Sequence, residues 1–76
     1  MKMFEAIKQI RLELGLTQVV FAKKLHVSFS TVNRWENGRV NPNRLATMMI
    51  ISLAEEMSED NDAIIFLKST VEEVCL

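Results

Sequence analysis

The chain has 76 residues, room for one domain with a single modest core. Hydrophobic residues make up 49%, too many for a disordered segment, and two glycines and one proline are too few for an all-β domain of many turns. Net charge is −1 but unevenly placed: residues 1–44 hold eight Lys and Arg against three Glu, +5, and residues 45–76 hold one Lys against seven Asp and Glu, −6. That asymmetry fits one face that meets phosphate, and it also fits charges that merely sit on solvated faces. The lone cysteine, Cys75, excludes an internal disulfide framework, fits a reducing, cytoplasmic compartment, and has no basic neighbour to activate it. No apolar run is long enough for a membrane span, and the start has no signal-peptide core.

The first predicted helix covers residues 3–14. Met3, Ile7, Ile10 and Leu14 fall on one face of a 3.6-residue period, and Phe4 widens the stripe. Gly15 stands where a helix closes in a left-handed conformation, with Leu16 placed to fold back onto the last turn. Arg11 lies at the stripe's edge, where its stem can cover apolar surface while its charge faces water.

Thr17 is a natural N-cap for a second helix at 18–25, although Val20 stands where a capping box needs Glu or Gln. Phe21, Ala22 and Leu25 make its inner face. Ala22 matters because two helices that cross within one turn need a small residue at their closest approach. His26 and Val27 form the turn that follows, and His is one of the few non-glycine residues enriched in left-handed backbone. A metal or acid–base role for His26 lacks a second His or a Cys at ligand spacing.

Ser28 caps a third helix at 29–37. Val32 and Trp35 face inward. Phe29, Ser30, Asn33 and Arg34 point the other way, with Thr31 at the margin. A plain solvated helix would carry Glu and Lys there; Ser, Thr, Asn and Arg are hydrogen-bonding types suited to base edges and phosphates. Asn37 and Gly38 stop the helix, and the loop RVNPN at 39–43 supplies Arg39, Asn41 and Asn43 as further donors, with Pro42 entering the next helix near its start.

A fourth helix at 44–57 is almost continuously apolar, from Leu45 to Met57, so it is either central to the core or has one face in a second interface. After the acidic turn SEDND, a fifth helix at about 63–75 repeats Ile64, Leu67, Val71 and Val74, with Ile65 and Phe66 beyond that stripe and Lys68, Ser69, Glu72 and Glu73 on the wet side. It either caps the core or forms a symmetric dimer contact, and the surplus apolar surface of these two helices favours the dimer.

The segment 17–38 resembles the Cro/C1-type (XRE) helix-turn-helix family of DNA-binding proteins. The likeness runs from about Ile7 to Leu45. It is carried by LGLTQ at 14–18, Ala22, VSFSTV at 27–32, and WENG at 35–38 with Pro42 soon after; each is weak alone, and together in this order they are specific. His26 replaces the common glycine, and Val20 stands where the family often has an acidic residue.

The resemblance implies an all-α, five-helix, lambda-repressor-like domain over residues 1–76, with helices two and three as the helix-turn-helix and helices four and five as core and dimer contact. It implies that Gln18 bonds a phosphate, aided by the helix N-terminus. It places Phe29, Ser30, Thr31 and Arg34 against base edges or backbone, with Asn33 on the same face, and Asn37, Arg39 and Asn41 against the opposite backbone. Phe29 cannot make a bidentate amide contact to adenine but can pack on a thymine methyl. The similarity also pairs Arg11 with Glu36, which makes both structural.

The expected function is sequence-specific binding of double-stranded DNA as a small, repressor-like transcriptional regulator. The partners expected are a palindromic operator and a second copy of the chain, joined through helix five. Two other readings stand beside it: the antitoxin of a toxin–antitoxin pair, holding a toxin through the acidic 55–62 region or the last helix, and a protein-interaction module that kept the fold. No cofactor or metal is expected. An enzyme is not expected either, since the chain shows no Cys–His or Ser–His pairing, no paired carboxylates in an apolar setting and no glycine-rich phosphate loop.

Overall fold

The apolar stripe of Met3, Ile7 and Ile10 builds α1 (Met3–Glu13). In the computed structural model, which describes residues 1–57 and 61–74, it is followed by α2 (Gln18–Leu25), α3 (Phe29–Glu36), α4 (Arg44–Met57) and α5 (Asp62–Val74), with no strand among the described residues. The architecture is thus the all-α, five-helix, lambda-repressor-like one that the resemblance implies. The acidic turn expected at Ser58, Glu59 and Asp60, the side chains of Met57, Glu72, Glu73 and Val74, and Cys75 lie outside the described residues.

The second and fourth helices have the expected bounds. The first and third each stop one residue sooner, because Leu14 and Asn37 serve as C-caps ahead of a left-handed corner. The fifth starts one residue sooner, after an asparagine cap. Four N-caps hold the helix starts. Thr17 Oγ1 accepts from Val20 N at 3.1 Å, Ser28 Oγ from Thr31 N at 3.1 Å, Asn43 Oδ1 from Ala46 N at 2.8 Å, and Asn61 Oδ1 from Ile64 N at 3.0 Å. Asn43 therefore caps α4, whose first residue is Arg44. Pro42 is buried just outside the helix, and the Asn43 side-chain oxygen serves the backbone.

Helices α1, α2 and α3 all close in the same way. Leu16 N donates to Arg11 O at 3.1 Å, Val27 N to Ala22 O at 3.0 Å, and Arg39 N to Arg34 O at 3.1 Å. In each, the residue before the donor is left-handed: Gly15 at φ 71°, His26 at φ 59° and Gly38 at φ 74°. Leu16 and Val27 then turn inward and pack against the core. The three corners differ in what they require. A Cβ on Gly15 would meet nothing within 4 Å, whereas one on Gly38 would lie 3.2 Å from Phe4 Cδ1. Phe4 thus lies against the corner that ends α3.

The core is built from Ile7, Ile10, Phe21, Val32, Ile50, Ile64 and Leu67, all fully buried. α5 packs on α1 and α4, α1 also packs on α3, and α2 lies against both α3 and α4. Ala22 is buried on α2. The α5 stripe that suggested a dimer contact faces inward: Ala63, Ile64 and Leu67 are fully buried and Val71 half-buried, leaving Ile65 exposed and Phe66 half-exposed. On α4 the surplus is Leu45, 68% exposed, and Met48, 43% exposed.

His26 is the one non-glycine residue with positive φ among those described. Left-handed backbone costs a Cβ-bearing residue about 1–2 kcal/mol, partly offset by the freedom glycine gains in the unfolded chain. We expect His26→Gly to stabilise the fold by about 1 kcal/mol, raising Tm by roughly 4–8 °C. Gly15→Ala should destabilise by about 1 kcal/mol from backbone alone, and Gly38→Ala by more, since the Phe4 ring must also move. Urea denaturation with an unchanged slope checks all three.

Candidate nucleic-acid interface

α3 is sorted by its two faces. Val32, Trp35 and Glu36 are buried. Phe29, Ser30 and Arg34 are exposed, and Thr31 and Asn33 are half-buried at the edge of the outer face. Phe29, at 49% exposure, keeps about half of an aromatic side chain open to solvent at the first position of the helix. Arg34 and Arg39 are exposed and form no ion pair among the described residues. Thr31 Oγ1 lies 2.8 Å from Ser28 Oγ, so its hydroxyl takes part in the N-cap. Asn37, Arg39 and Asn41 follow on the exposed loop.

One buried ion pair ties this helix to α1. Arg11 Nε donates to Glu36 Oε2 at 2.7 Å and Nη2 to Glu36 Oε1 at 3.0 Å, the two-pronged geometry that suits guanidinium and carboxylate. Nη1 donates to Leu16 O at 2.9 Å. The same guanidinium thus holds the carboxylate of α3 and a carbonyl of the corner after α1. The Arg11 side chain is 12% exposed and that of Glu36 is 4% exposed. Arg11 is therefore taken up within the fold, away from the face of α3 that carries Phe29 and Arg34.

The bonding continues outward through three amides. Gln18 Nε2 donates to Glu36 Oε1 at 3.2 Å, Asn33 Nδ2 to Gln18 Oε1 at 3.3 Å, and Asn37 Nδ2 to Asn33 Oδ1 at 2.9 Å. Gln18 sits on the first turn of α2, so the chain of bonds crosses from α3 to α2 and back. Of the residues expected at a DNA face, the structure brings Gln18, Asn33 and Asn37 into one network and sets Phe29, Ser30 and Arg34 beside it on α3. Arg39 is tied to Arg34 by its backbone N–H alone, and neither its side chain nor that of Asn41 joins the network.

Two features were not legible in the sequence. Gln18 is engaged at both ends of its amide, which leaves one N–H outside the network. Asn33 is a junction between helices, where the sequence offered only a polar face; positions 18 and 33 are too far apart for any spacing rule to join them. Val19 and Val20, 47% and 39% exposed, add an apolar edge to the first turn of α2.

Loss of one member of a buried pair leaves the other charge uncompensated, at about 3–5 kcal/mol, whereas replacement of both by apolar residues is often neutral. Arg11→Met alone should therefore destabilise by about 3 kcal/mol, and Arg11→Met with Glu36→Met should recover most of that loss. Chemical denaturation of the two single variants and the double variant reads the coupling directly.

The sequence profile of the helix-turn-helix family matches residues 7–46, just over half of the chain. A propionyl-CoA carboxylase regulator of Cereibacter sphaeroides is 35% identical over 54 residues, which cover 71% of this chain and 11% of that protein. The chain thus spans about a tenth of the length of the relative it matches. No solved structure matches the chain. Among the described residues, no helix is long and apolar enough to cross a membrane. With its two short helices joined at a left-handed turn, its buried arginine–glutamate pair and the matching profile, the chain belongs to the Cro/C1-type (XRE) helix-turn-helix family of DNA-binding proteins.

Proposed function

We propose that the chain is a sequence-specific, repressor-like regulator of transcription that lays α3 in the major groove of double-stranded DNA while α2 crosses the backbone. The observation that carries this is the outer face of α3. Phe29, Ser30 and Arg34 are exposed side by side on a helix whose other face is locked into the core, and Arg34 has no counter-charge among the described residues. In this reading Ser30 and Arg34 meet base edges or phosphate, Thr31 lies at the margin of the contact, and Phe29 packs on a thymine methyl. Gln18 offers an amide N–H group to one backbone, Asn33 stands beside it on α3, and Asn37, Arg39 and Asn41 reach the opposite backbone. The relative named as a regulator supports the regulatory part of the reading.

One such module reads few bases, and a palindromic operator engaged by a two-fold dimer would place two recognition helices about 34 Å apart. In this reading the dimer forms through α5, with the outer row of α4 joining it. The exposed side chains of Ile65, Leu45 and Met48 are the apolar surface available to such a contact. Leu45 and Met48 also edge a groove of about 410 Å³ between α2 and α4, with Leu25, Met49 and Leu53 in its lining. In the antitoxin reading a toxin would instead be held through the acidic 55–62 region or α5, and a small toxin gene immediately next to this one would favour that reading.

Selection of duplexes from a random pool should yield a palindromic site, with an affinity that falls steeply as salt rises. Ser30→Ala with Arg34→Ala should weaken binding to that site by about 1–3 kcal/mol and relax preference at one or two positions. Unchanged binding by this variant would favour a protein-interaction role. Sedimentation at micromolar concentration, with and without the selected duplex, should show a dimer that Ile65→Lys with Met48→Lys converts to monomer. A wild-type protein that stays monomeric in both conditions sinks the dimer.

A further inference from the structure

The three amide hydrogen bonds of the interface all run the same way, and their direction has a source. A carboxylate clamped by a guanidinium only accepts, so Glu36 can be met only by the Nε2 side of Gln18. That turns Gln18 Oε1 towards α3, where only a donor fits, and Asn33 supplies Nδ2. Asn33 Oδ1 then faces the end of α3, and Asn37 meets it with Nδ2. Reversal of any one amide would set oxygen against oxygen or N–H against N–H. Glu36 and Asn37 are neighbours in the chain, yet their side chains are joined by way of α2.

We infer that Glu36, whose own side chain is walled off from solvent, is a positioning residue that fixes which way the amides of Gln18, Asn33 and Asn37 face at the surface. Each amide gives one N–H to the relay and keeps one, so the relay presents a row of remaining donors, with the Asn37 oxygen at its open end. Phosphate oxygens only accept, and a row of donors fits them. A row with its amides turned at random would set carbonyl oxygens against phosphate part of the time. Arg11 acts one step further back by holding the carboxylate in place. The role on DNA rests on the proposed function above, whereas the orientation of the amides does not.

Side-chain amide resonances of the ¹⁵N-labelled free protein test the orientation, and affinity for the selected duplex tests its use. Gln18→Met cuts the relay beside Glu36 and leaves the ion pair intact. Arg11→Met with Glu36→Met keeps all three amides and removes their anchor. In the first variant the Asn33 and Asn37 NH₂ signals should move and exchange faster with water. In the second, those of Gln18 should move as well, and affinity should fall about tenfold while the backbone spectrum stays folded. Asn33 and Asn37 signals that keep their wild-type positions in either folded variant overturn the relay. Signals that move while the double variant binds DNA as the wild type does overturn the positioning role. If wild-type protein binds no selected duplex, the DNA reading fails instead, and the spectra of the free variants still decide the orientation.

Discussion

The contact on which the rest of the molecule depends is the pairing of Arg11 with Glu36. Its geometry joins three pieces of backbone at once: the last turn of α1, the Leu16 carbonyl beyond the first corner, and the end of α3. Both partners are largely removed from water, so their attraction is little screened, and neither can be dispensed with singly. Because the guanidinium is planar and forked, it sets orientation as well as distance. α1 and α3 are in contact, tied by this pair, and Ile7, Ile10 and Val32 of the two helices are buried in the common core. A lysine at position 11 would keep the charge and lose the fork.

Removal of Arg11 from the exposed surface also changes how the charge of the chain is to be understood. The eight cations of residues 1–44 include one that is neutralised inside the fold; its partner Glu36 is one of the three anions, so the excess stays at +5 with one fewer cation at the surface. The cations that remain on the candidate face are few, Arg34 and Arg39 among them, so in the proposed complex contact with phosphate would lean on neutral donors as well. This agrees with the number of amides gathered at the junction of α2 and α3. Phosphates are met by N–H groups as well as by charge, and such contacts fix register without adding to electrostatic attraction.

Much of the fold was legible in the sequence because it is local. The periodic stripes of α1 and α5, the caps Thr17 and Ser28, and the left-handed corners at Gly15 and Gly38 are each set by a few neighbouring residues, and all are found where chain-local rules place them. His26 was readable for the same reason, since a residue that must follow α2 and reverse the chain has few backbone choices. Asn43 was less so: a proline beside an asparagine offers two ways to begin a helix, and only packing decides that Pro42 goes inward. The interface divides along the same line. The outward positions of α3 follow from helical period, whereas the link from Glu36 through Gln18 to Asn33 joins residues 15 and 18 positions apart, which no local rule connects. The α5 stripe gave the right face but an ambiguous purpose, because apolar periodicity does not distinguish a neighbouring helix of the same chain from one of another.

α2 and α3 have eight residues each, well under the roughly 12–15 at which even a favourable isolated helix begins to persist in water. Neither can exist ahead of the core that receives it. The reading surface is therefore a property of the folded population alone, and unfolded chains offer DNA their charge without their shape. Whatever lowers the folded fraction dilutes the competent protein in proportion, and a duplex bound as proposed would in turn draw the equilibrium towards the fold by mass action. For so small a chain, steadiness of the core and occupancy of the proposed site on DNA are linked equilibria, and a change in one is felt in the other.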